Sequence, residues 1–128
     1  MKPVPLGLAN RHEIVPPASH TAAAVGNAGV EVVGTPFLVG YFEIAAHRAI
    51  LPFCEEGEAT VGTRIEVDHL AAALPGKPVV AEAHVVAVDG RRIRFEVEVR
   101  QGERVLMKGH HGRAIVRLDR LLARAAAG

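Results

Sequence analysis

A helix that is apolar on every side is the feature that most restricts how this chain can fold. Residues 35–53 are predicted to form it, because Thr35 is a good N-cap and Pro36 suits the first helical position, where its missing N–H costs no hydrogen bond. Between Pro36 and Ala46, the only side chain of fixed charge is Glu43. A helix of this kind has to be covered on all sides by other parts of the protein.

Residues 59–118 have the alternating pattern of antiparallel strands with one buried face and one face in water. Asp89-Gly90 is a strong signal for a two-residue hairpin turn, and Gln101-Gly102 is a weaker one. An apolar sheet face and an apolar helix must cover each other. The economical arrangement is an α+β hot-dog fold, in which a curled antiparallel sheet wraps around one long central helix. We predict a single domain of this kind over residues 1–128.

The two ends of the chain are predicted to be less regular. Residues 1–34 are expected to form an irregular segment or lid, with a short strand at 11–15 that Pro16-Pro17 stops. The Ala-rich residues 120–128 are expected to form a short helix that frays.

Composition excludes several classes of protein. A formal net charge of +1 argues against nucleic-acid binding, which usually needs a clustered basic face. No apolar stretch approaches the roughly 18 residues of a membrane span, so no membrane partner is expected. We find no signal peptide, and the one cysteine, Cys54, cannot form an internal disulfide. We therefore expect a cytoplasmic protein.

Glu43 is the most informative residue, because an ionised carboxylate among apolar neighbours must be paired, protonated or linked to water. It is either a structural carboxylate that accepts backbone N–H groups or a catalytic acid. His69 is its expected partner, since it shares the inward strand face of Ile65 and Val67. Imidazole bonded to carboxylate is a better-oriented base. Thr35 is either only an N-cap or a hydroxyl that holds water or attacks a carbonyl.

The start of the helix adds a site for negative charge. Its free N–H groups and positive dipole end favour a polarised carbonyl oxygen. Gly62, on the strand opposite, allows a ligand to approach the backbone closely. Together these groups are suited to an oxyanion hole for acyl transfer.

Four segments resemble the fluoroacetyl-CoA thioesterase group of hot-dog proteins, and the likeness extends over about residues 35–118. The segments are 35–43 (TPFLVGYFE), 60–69 (TVGTRIEVDH), 88–92 (VDGRR) and 111–116 (HGRAIV). The resemblance implies hydrolysis of acyl-CoA thioesters without a metal, by homodimers with sites near the subunit interface. It also implies a catalytic set of Thr35, Glu43 and His69, with Gly62 at the thioester and Arg113 at the acyl end.

The chain departs from the fluoroacetyl enzyme at several positions. Residues 20–34 align poorly, Pro36 replaces a glycine, and Gly112 replaces a glutamate. We therefore expect a short or medium acyl-CoA as the substrate rather than fluoroacetyl-CoA.

Further residues are assigned to substrate binding or to the surface. Phe37 and His111 are expected to line the pocket. His110 and His111 are adjacent on a strand and point to opposite faces, so no metal site is expected, and no cofactor either. Arg91, Arg92 and Arg94 are either a solvated strand face or a contact for coenzyme A phosphates.

Two other functions stay open at this point. One is a hot-dog hydratase or dehydratase that moves a proton at the alpha carbon of an acyl-CoA. The other is a non-catalytic module that binds acyl-CoA or a small ligand. The expected assembly is a homodimer, or two dimers paired as a tetramer.

Overall fold

The computed structural model describes all residues from Met1 to Gly128, as a five-stranded antiparallel sheet packed on one long helix. In chain order the elements are β1 (Ala9–Ile14), α1 (Thr35–Ile50), β2 (Glu58–His69), β3 (Val79–Asp89), β4 (Arg92–Gln101), β5 (Arg104–Arg117) and α2 (Leu118–Ala127). The strand order is β1-β3-β4-β5-β2, so β1 and β2 are the edges of a sheet that does not close. The predicted α+β class, with one long helix against an antiparallel sheet, is confirmed.

The two hairpins lie where the sequence predicts them. The β3–β4 turn passes through Gly90 at φ +58°, and the β4–β5 turn passes through Gly102 at φ +62°. Glycine takes this left-handed conformation without strain, so these two residues favour the tight turns that pair the strands. β4 alternates as predicted, with Ile93 and Phe95 buried and Arg94 exposed.

Helix α1 is three residues shorter than predicted. It ends at Ile50, and Leu51–Phe53 form a 3-10 turn instead of the last α-helical turn. Pro52 explains the difference, because proline has no N–H to continue the α-helical hydrogen bonds and its ring clashes with the preceding turn. At the other end of the chain, α2 begins at Leu118, two residues before the predicted start.

One side of α1 is buried and the other is only half covered. Its core side follows helical spacing through Leu38, Phe42, Ala45 and Ala49. The opposite side carries half-buried residues, which are Val39, Glu43, Ile44 and His47. The prediction that α1 is enclosed all round is therefore wrong for a single chain, because β2 and β5 approach this second side at Glu43 but do not bury it.

Strand β2 follows α1 in the chain and pairs with β5 at one edge of the sheet. The register between them shifts between Gly62 and Arg64, so Thr63 forms a bulge. The other long side of β2 has no partner strand in the chain. At the N-terminus, β1 lies at residues 9–14, close to the predicted 11–15. Neither helix is long and apolar enough to cross a lipid bilayer.

Candidate active site

Thr35 and His69 form a direct hydrogen bond between the start of α1 and the end of β2. Thr35 Oγ1 lies 2.8 Å from His69 Nδ1, and His69 Nε2 lies 3.0 Å from the carbonyl oxygen of Ala71. A carbonyl oxygen can only accept, so Nε2 carries the ring proton of the neutral imidazole. Nδ1 is then the acceptor and the Thr35 hydroxyl donates to it. This is the arrangement of a nucleophile with its general base.

Thr35 is available for this bond because it is not the N-cap of α1, which contradicts the prediction from the sequence. The N-cap is Gly34, with φ −69° and ψ 145°, and no side chain caps the helix. The Gly34 carbonyl accepts N–H groups from Phe37 and Leu38 at 3.0 and 3.3 Å. A Cβ at residue 34 would lie 3.2 Å from the Phe37 ring, so this crowded position favours glycine. The Thr35 hydroxyl therefore has no capping bond to break.

Glu43 forms an ion pair with Arg113 of β5. Its Oε2 lies 3.2 Å from Arg113 Nη1, and its side chain is 37% exposed in the single chain. Arg113 is buried, and it also donates from Nε to Thr60 Oγ1 at 2.8 Å and from Nη2 to the Thr60 carbonyl at 3.1 Å. Burial lowers the pKa of Arg113, and the Glu43 carboxylate counteracts that shift. A buried guanidinium needs such a counter-charge.

His111 completes this cluster from the same strand. Its Nδ1 donates to the carbonyl of Arg64 at 2.8 Å, so its Nε2 accepts a hydrogen bond from Arg113 Nη1 at 3.3 Å. Burial lowers the pKa of His111, and the neighbouring Arg113 charge lowers it further. The ring is fully buried and stays neutral at neutral pH. Its Nε2 also lies 3.6 Å from Glu43 Oε2.

Gly62 brings the backbone of β2 directly against Glu43. A Cβ at this position would lie 2.7 Å from Glu43 Oε2, closer than real contacts allow. Any side chain here would push the carboxylate away from Arg113. The other carboxylate oxygen, Oε1, forms no hydrogen bond or ion pair within the chain. Glu43 therefore has one anchored oxygen and one that is available to a water or a substrate.

The expected pairing of Glu43 with His69 does not occur within one chain. His69 bonds to Thr35 and Ala71, whereas Glu43 bonds to Arg113. Thr35 and Glu43 are eight residues apart on α1, which is about 12 Å along the helix. Gly62 and His69 are seven residues apart on β2, about 23 Å along the strand. The predicted residues therefore form two clusters, a Thr35–His69 cluster and a Glu43–Arg113 cluster that includes Gly62 and His111.

Phe37 lies beside the Thr35–His69 cluster. Its ring is half-buried and stacks on His20, with ring centroids 4.5 Å apart and planes 9° apart. His20 Nδ1 in turn lies 2.7 Å from the hydroxyl of Tyr41. Phe37 is thus held in place next to the start of α1, on a different side of the helix from Glu43.

The sequence analysis missed two residues near Glu43. Thr60 fixes Arg113 through two hydrogen bonds, and the signal for it was its position two residues before Gly62, on the same strand face. His47 follows Glu43 by four residues, so both lie on one side of α1. Burial lowers the pKa of His47, and the charge of Arg113 adds to that effect.

Comparisons with known proteins extend over most of the chain. Residues 17–119 match the family model of FlK, the fluoroacetyl-CoA-specific thioesterase. Over 94 residues the chain is 39% identical to the fluoroacetyl-CoA thioesterase of Streptantibioticus cattleyicolor, covering 73% of this chain and 68% of that protein. A solved structure of fluoroacetyl-CoA thioesterase FlK superposes with a TM-score of 0.92 at 32% identity, covering 98% of both chains. A thioesterase superfamily member from Thermus thermophilus superposes with a TM-score of 0.90 at 30% identity, covering 99% of this chain and 94% of that one.

Proposed function

Because the chain belongs to the fluoroacetyl-CoA-specific thioesterase family and is an acyl-CoA thioesterase with the hot-dog fold, we propose that it hydrolyses a short or medium acyl-CoA to the free acid and coenzyme A. The observation that carries the proposed mechanism is the hydrogen bond from Thr35 to His69. A binding module would need no hydroxyl aligned on the free nitrogen of an imidazole.

In the proposed first half-reaction, Thr35 Oγ1 attacks the thioester carbonyl while His69 Nδ1 accepts the hydroxyl proton. The new C–O bond forms, and the C–S bond of the tetrahedral intermediate then breaks. The leaving thiolate takes the proton from His69, so coenzyme A leaves as its thiol. The positive end of α1 begins at Thr35 and stabilises the oxyanion.

In the proposed second half-reaction, a water oxygen bonds to the acyl carbon of the Thr35 ester and the bond from that carbon to Thr35 Oγ1 breaks. The proton taken from the water returns to Thr35 Oγ1, so the acid leaves and the hydroxyl is restored. Glu43 Oε1 is the oxygen suited to bind and deprotonate that water, because Oε2 is fixed by Arg113. A mechanism in which Glu43 activates water for direct attack on the thioester uses the same oxygen and leaves Thr35 unacylated. The two mechanisms differ in a covalent intermediate that mass spectrometry detects.

We assign Arg113 to positioning Glu43. Its guanidinium is buried and its donors contact Thr60, Glu43 and His111. The same residues leave little freedom for it to move toward an acyl group, in contrast to the acyl-end contact that the resemblance implies. The carboxylate that it holds next to Gly62 then faces the reacting carbon.

We propose that the active unit is a homodimer joined along β2. The free edge of β2 presents unpaired backbone groups over its 12 residues, and Ile65 on it is 49% exposed. A two-fold antiparallel pairing centred between Ile65 and Glu66 would set Gly62 of each protomer opposite position 69 of its partner. Each site would then combine a Glu43–Arg113 cluster with a Thr35–His69 cluster from the other protomer.

A cytoplasmic location is part of the same proposal. It agrees with a substrate that is an acyl-CoA and with the free thiol of Cys54, the one cysteine of the chain.

The test is a panel of acyl-CoA thioesters with detection of the released thiol, together with Glu43→Gln, His69→Ala, Thr35→Ala and Thr35→Ser. We expect His69→Ala and Glu43→Gln each to lower kcat by about 10²- to 10⁴-fold, the usual range for a lost general base. Thr35→Ser keeps the hydroxyl and should keep more activity than Thr35→Ala. Near-wild-type turnover in both His69→Ala and Glu43→Gln would reject this site. Turnover of an enoyl-CoA without thiol release would indicate a hydratase instead.

A further inference from the structure

The first turn of α1 carries Thr35, and no side chain caps this end of the helix. Capping side chains usually satisfy the free N–H groups of a helix start, and helix ends without such support fray. The hydroxyl of Thr35 cannot keep a fixed distance to His69 on a turn that frays. Contacts from another part of the chain therefore have to hold this turn.

His20, which lies between β1 and α1, contacts the start of α1 at three positions. Its backbone carbonyl accepts the N–H of the N-cap residue Gly34 at 2.9 Å. Its ring stacks on Phe37, with ring centroids 4.5 Å apart and planes 9° apart. Its Nδ1 lies 2.7 Å from the hydroxyl of Tyr41, one turn further along the same helix side. Because Gly34 and Phe37 flank Thr35 in the sequence, these contacts enclose the turn that carries it.

Tyr41 gives the His20 ring a fixed attachment point. The tyrosine is only 3% exposed, and burial raises its pKa, so its hydroxyl stays protonated at neutral pH. His20 is the one hydrogen-bond partner of this hydroxyl within the chain. A buried hydroxyl that loses its partner costs free energy, so the bond between the two side chains resists breaking.

His69, the other partner of Thr35, is held by contacts that do not involve His20. Its Nε2 donates to the carbonyl of Ala71 at 3.0 Å. Two residues later, the carbonyl of Ala73 accepts the N–H of Val33 at 2.8 Å. The segment after β2 thus fixes the His69 ring and holds the chain as far as Val33, two residues before Thr35.

We propose that His20 is a positioning residue that holds Thr35 Oγ1 within hydrogen-bonding distance of His69 Nδ1. It acts through Gly34 and Phe37, and its anchor is Tyr41. The inference rests on the proposed role of Thr35 as nucleophile and names the residue on which its alignment depends. Since a misplacement of about 1 Å can lower a rate by about 100-fold, His20 affects the chemical step rather than the affinity for substrate.

The first experiment follows the hydrogen bond itself, by ¹⁵N NMR of protein labelled at its histidine rings. The Nδ1 signal of His69 is assigned by its loss in His69→Ala, and Thr35→Ala gives its position without the bond. His20→Phe keeps an aromatic ring for stacking, and Tyr41→Phe removes only a hydroxyl. We expect both variants to move the signal toward its position in Thr35→Ala. The matched control is His12→Phe, the same substitution in another ring beside Tyr41, and it should leave the signal unchanged.

The second experiment measures thiol release from the acyl-CoA that the wild type cleaves fastest. In His20→Phe and in Tyr41→Phe, we expect kcat to fall about tenfold with KM unchanged, because only the alignment of the nucleophile is impaired. The double variant should show no further fall, since both substitutions remove the same hydrogen bond. Far-UV circular dichroism checks that each variant is folded, and Tyr41→Phe carries the test if His20→Phe does not fold.

An unchanged His69 signal in folded His20→Phe and Tyr41→Phe, or an equal change in His12→Phe, would overturn the role assigned to His20. A rise in KM with unchanged kcat would overturn it as well. Normal turnover in Thr35→Ala contradicts the proposed nucleophile, and a wild-type protein that releases no thiol contradicts the proposed function. In both of these cases the His69 signal still tests whether His20 holds Thr35 in place.

Discussion

The two histidines of the candidate site differ in which ring nitrogen carries the proton. His69 donates from Nε2 to Ala71 and accepts at Nδ1, whereas His111 donates from Nδ1 to Arg64 and accepts at Nε2. A proton added to His111 would face an N–H of Arg113 in a buried setting, which is costly. His69 is exposed and bonded to a hydroxyl, so it can take up a proton during a reaction. His69 is therefore suited to proton transfer, and His111 to holding Arg113.

The pKa of His111 leads to a prediction about stability. Because the folded state lowers this pKa below its ordinary value of 6.5, the unfolded chain binds more protons as the pH falls below 6.5. Stability from the neutral ring is thus complete above pH 6.5 and decreases as the pH falls toward the folded-state pKa. We expect His111→Gln to lower the free energy of unfolding by about 1–3 kcal/mol at a pH of about 8, because hydrogen bonds are lost. We also expect the free energy of unfolding of this variant to fall less steeply than that of the wild type as the pH decreases.

Urea unfolding at several pH values from about 5 to about 8 measures both effects. Part of the acid decline should remain, because burial also lowers the pKa values of His12 and His47. His110→Gln is the control, since its ring forms no hydrogen bond and lies on the other strand face. An acid decline in His111→Gln as steep as in the wild type would contradict the prediction.

Single residues of the site could be picked out from the sequence, but their pairings could not. Thr35, Glu43 and Gly62 each interrupt a local pattern, so the pattern alone marks them. The partner of Glu43 is Arg113, 70 residues later in the chain. That contact depends on the register of β5 against β2, which includes a bulge at Thr63 that no local signal predicts. The partner of Glu43 therefore cannot be predicted from local sequence patterns.

At the level of elements, lengths and turns follow from local chemistry. Pro52 ends α1, and the glycines of the two hairpins fix β3, β4 and β5 relative to each other. The position of β2 is different, because it follows α1 in the chain but pairs with β5 at the far end of the sequence. The pairing of β2 with β5 is a long-range contact, and it depends on which face of the sheet α1 covers. The sequence predicts that β2 exists, but not which strand it pairs with.

The β2–β5 pairing has one position that only glycine can occupy. Gly109 has φ +158°, and a Cβ there would overlap the carbonyl oxygen of Glu66 and lie 2.7 Å from Val67 Cα. We expect Gly109→Ala to force β2 away from β5 and to lower the free energy of unfolding by about 3 kcal/mol. Activity should fall as well, since β2 carries Gly62 and His69. Urea unfolding and thiol-release assays measure the two losses.

Gly40→Ala serves as the comparison for this prediction. A Cβ at residue 40 meets no atom within 4 Å, and the residue lies in the middle of α1. Alanine is the better helix former there, so the substitution should raise stability by about 0.5–1 kcal/mol. If Gly109→Ala were as stable as the wild type, the close approach of β2 and β5 would not be a constraint on this fold.

For the whole molecule, the incomplete cover of α1 and the free edge of β2 both favour pairing with a second copy of the chain. One chain leaves the side of α1 that carries Glu43 half open, and it separates this residue from the Thr35–His69 cluster. Pairing two copies along β2 would cover that side and bring the clusters of opposite protomers together. Enclosure of Glu43, which the sequence predicts for one chain, would then be a property of the dimer. A tetramer would need a further surface, and gel filtration with light scattering separates the two assemblies.

If each active site combines Glu43 of one chain with His69 of the other, two inactive variants should restore thiol release when they are mixed. In a heterodimer of His69→Ala with Glu43→Gln, one site contains both substitutions, whereas the other combines an intact His69 with an intact Glu43 from the partner chain. Random mixing of equal amounts gives half heterodimers, so thiol release should recover to about a quarter of the wild-type rate. The measurement needs co-expression or joint refolding to exchange subunits, with each variant treated alone as the control. If every site used Glu43 and His69 of one chain, neither site of the heterodimer would be intact, and mixing would restore no activity. Recovery near a quarter therefore requires two chains at each site, because no other arrangement of these residues leaves an intact pair.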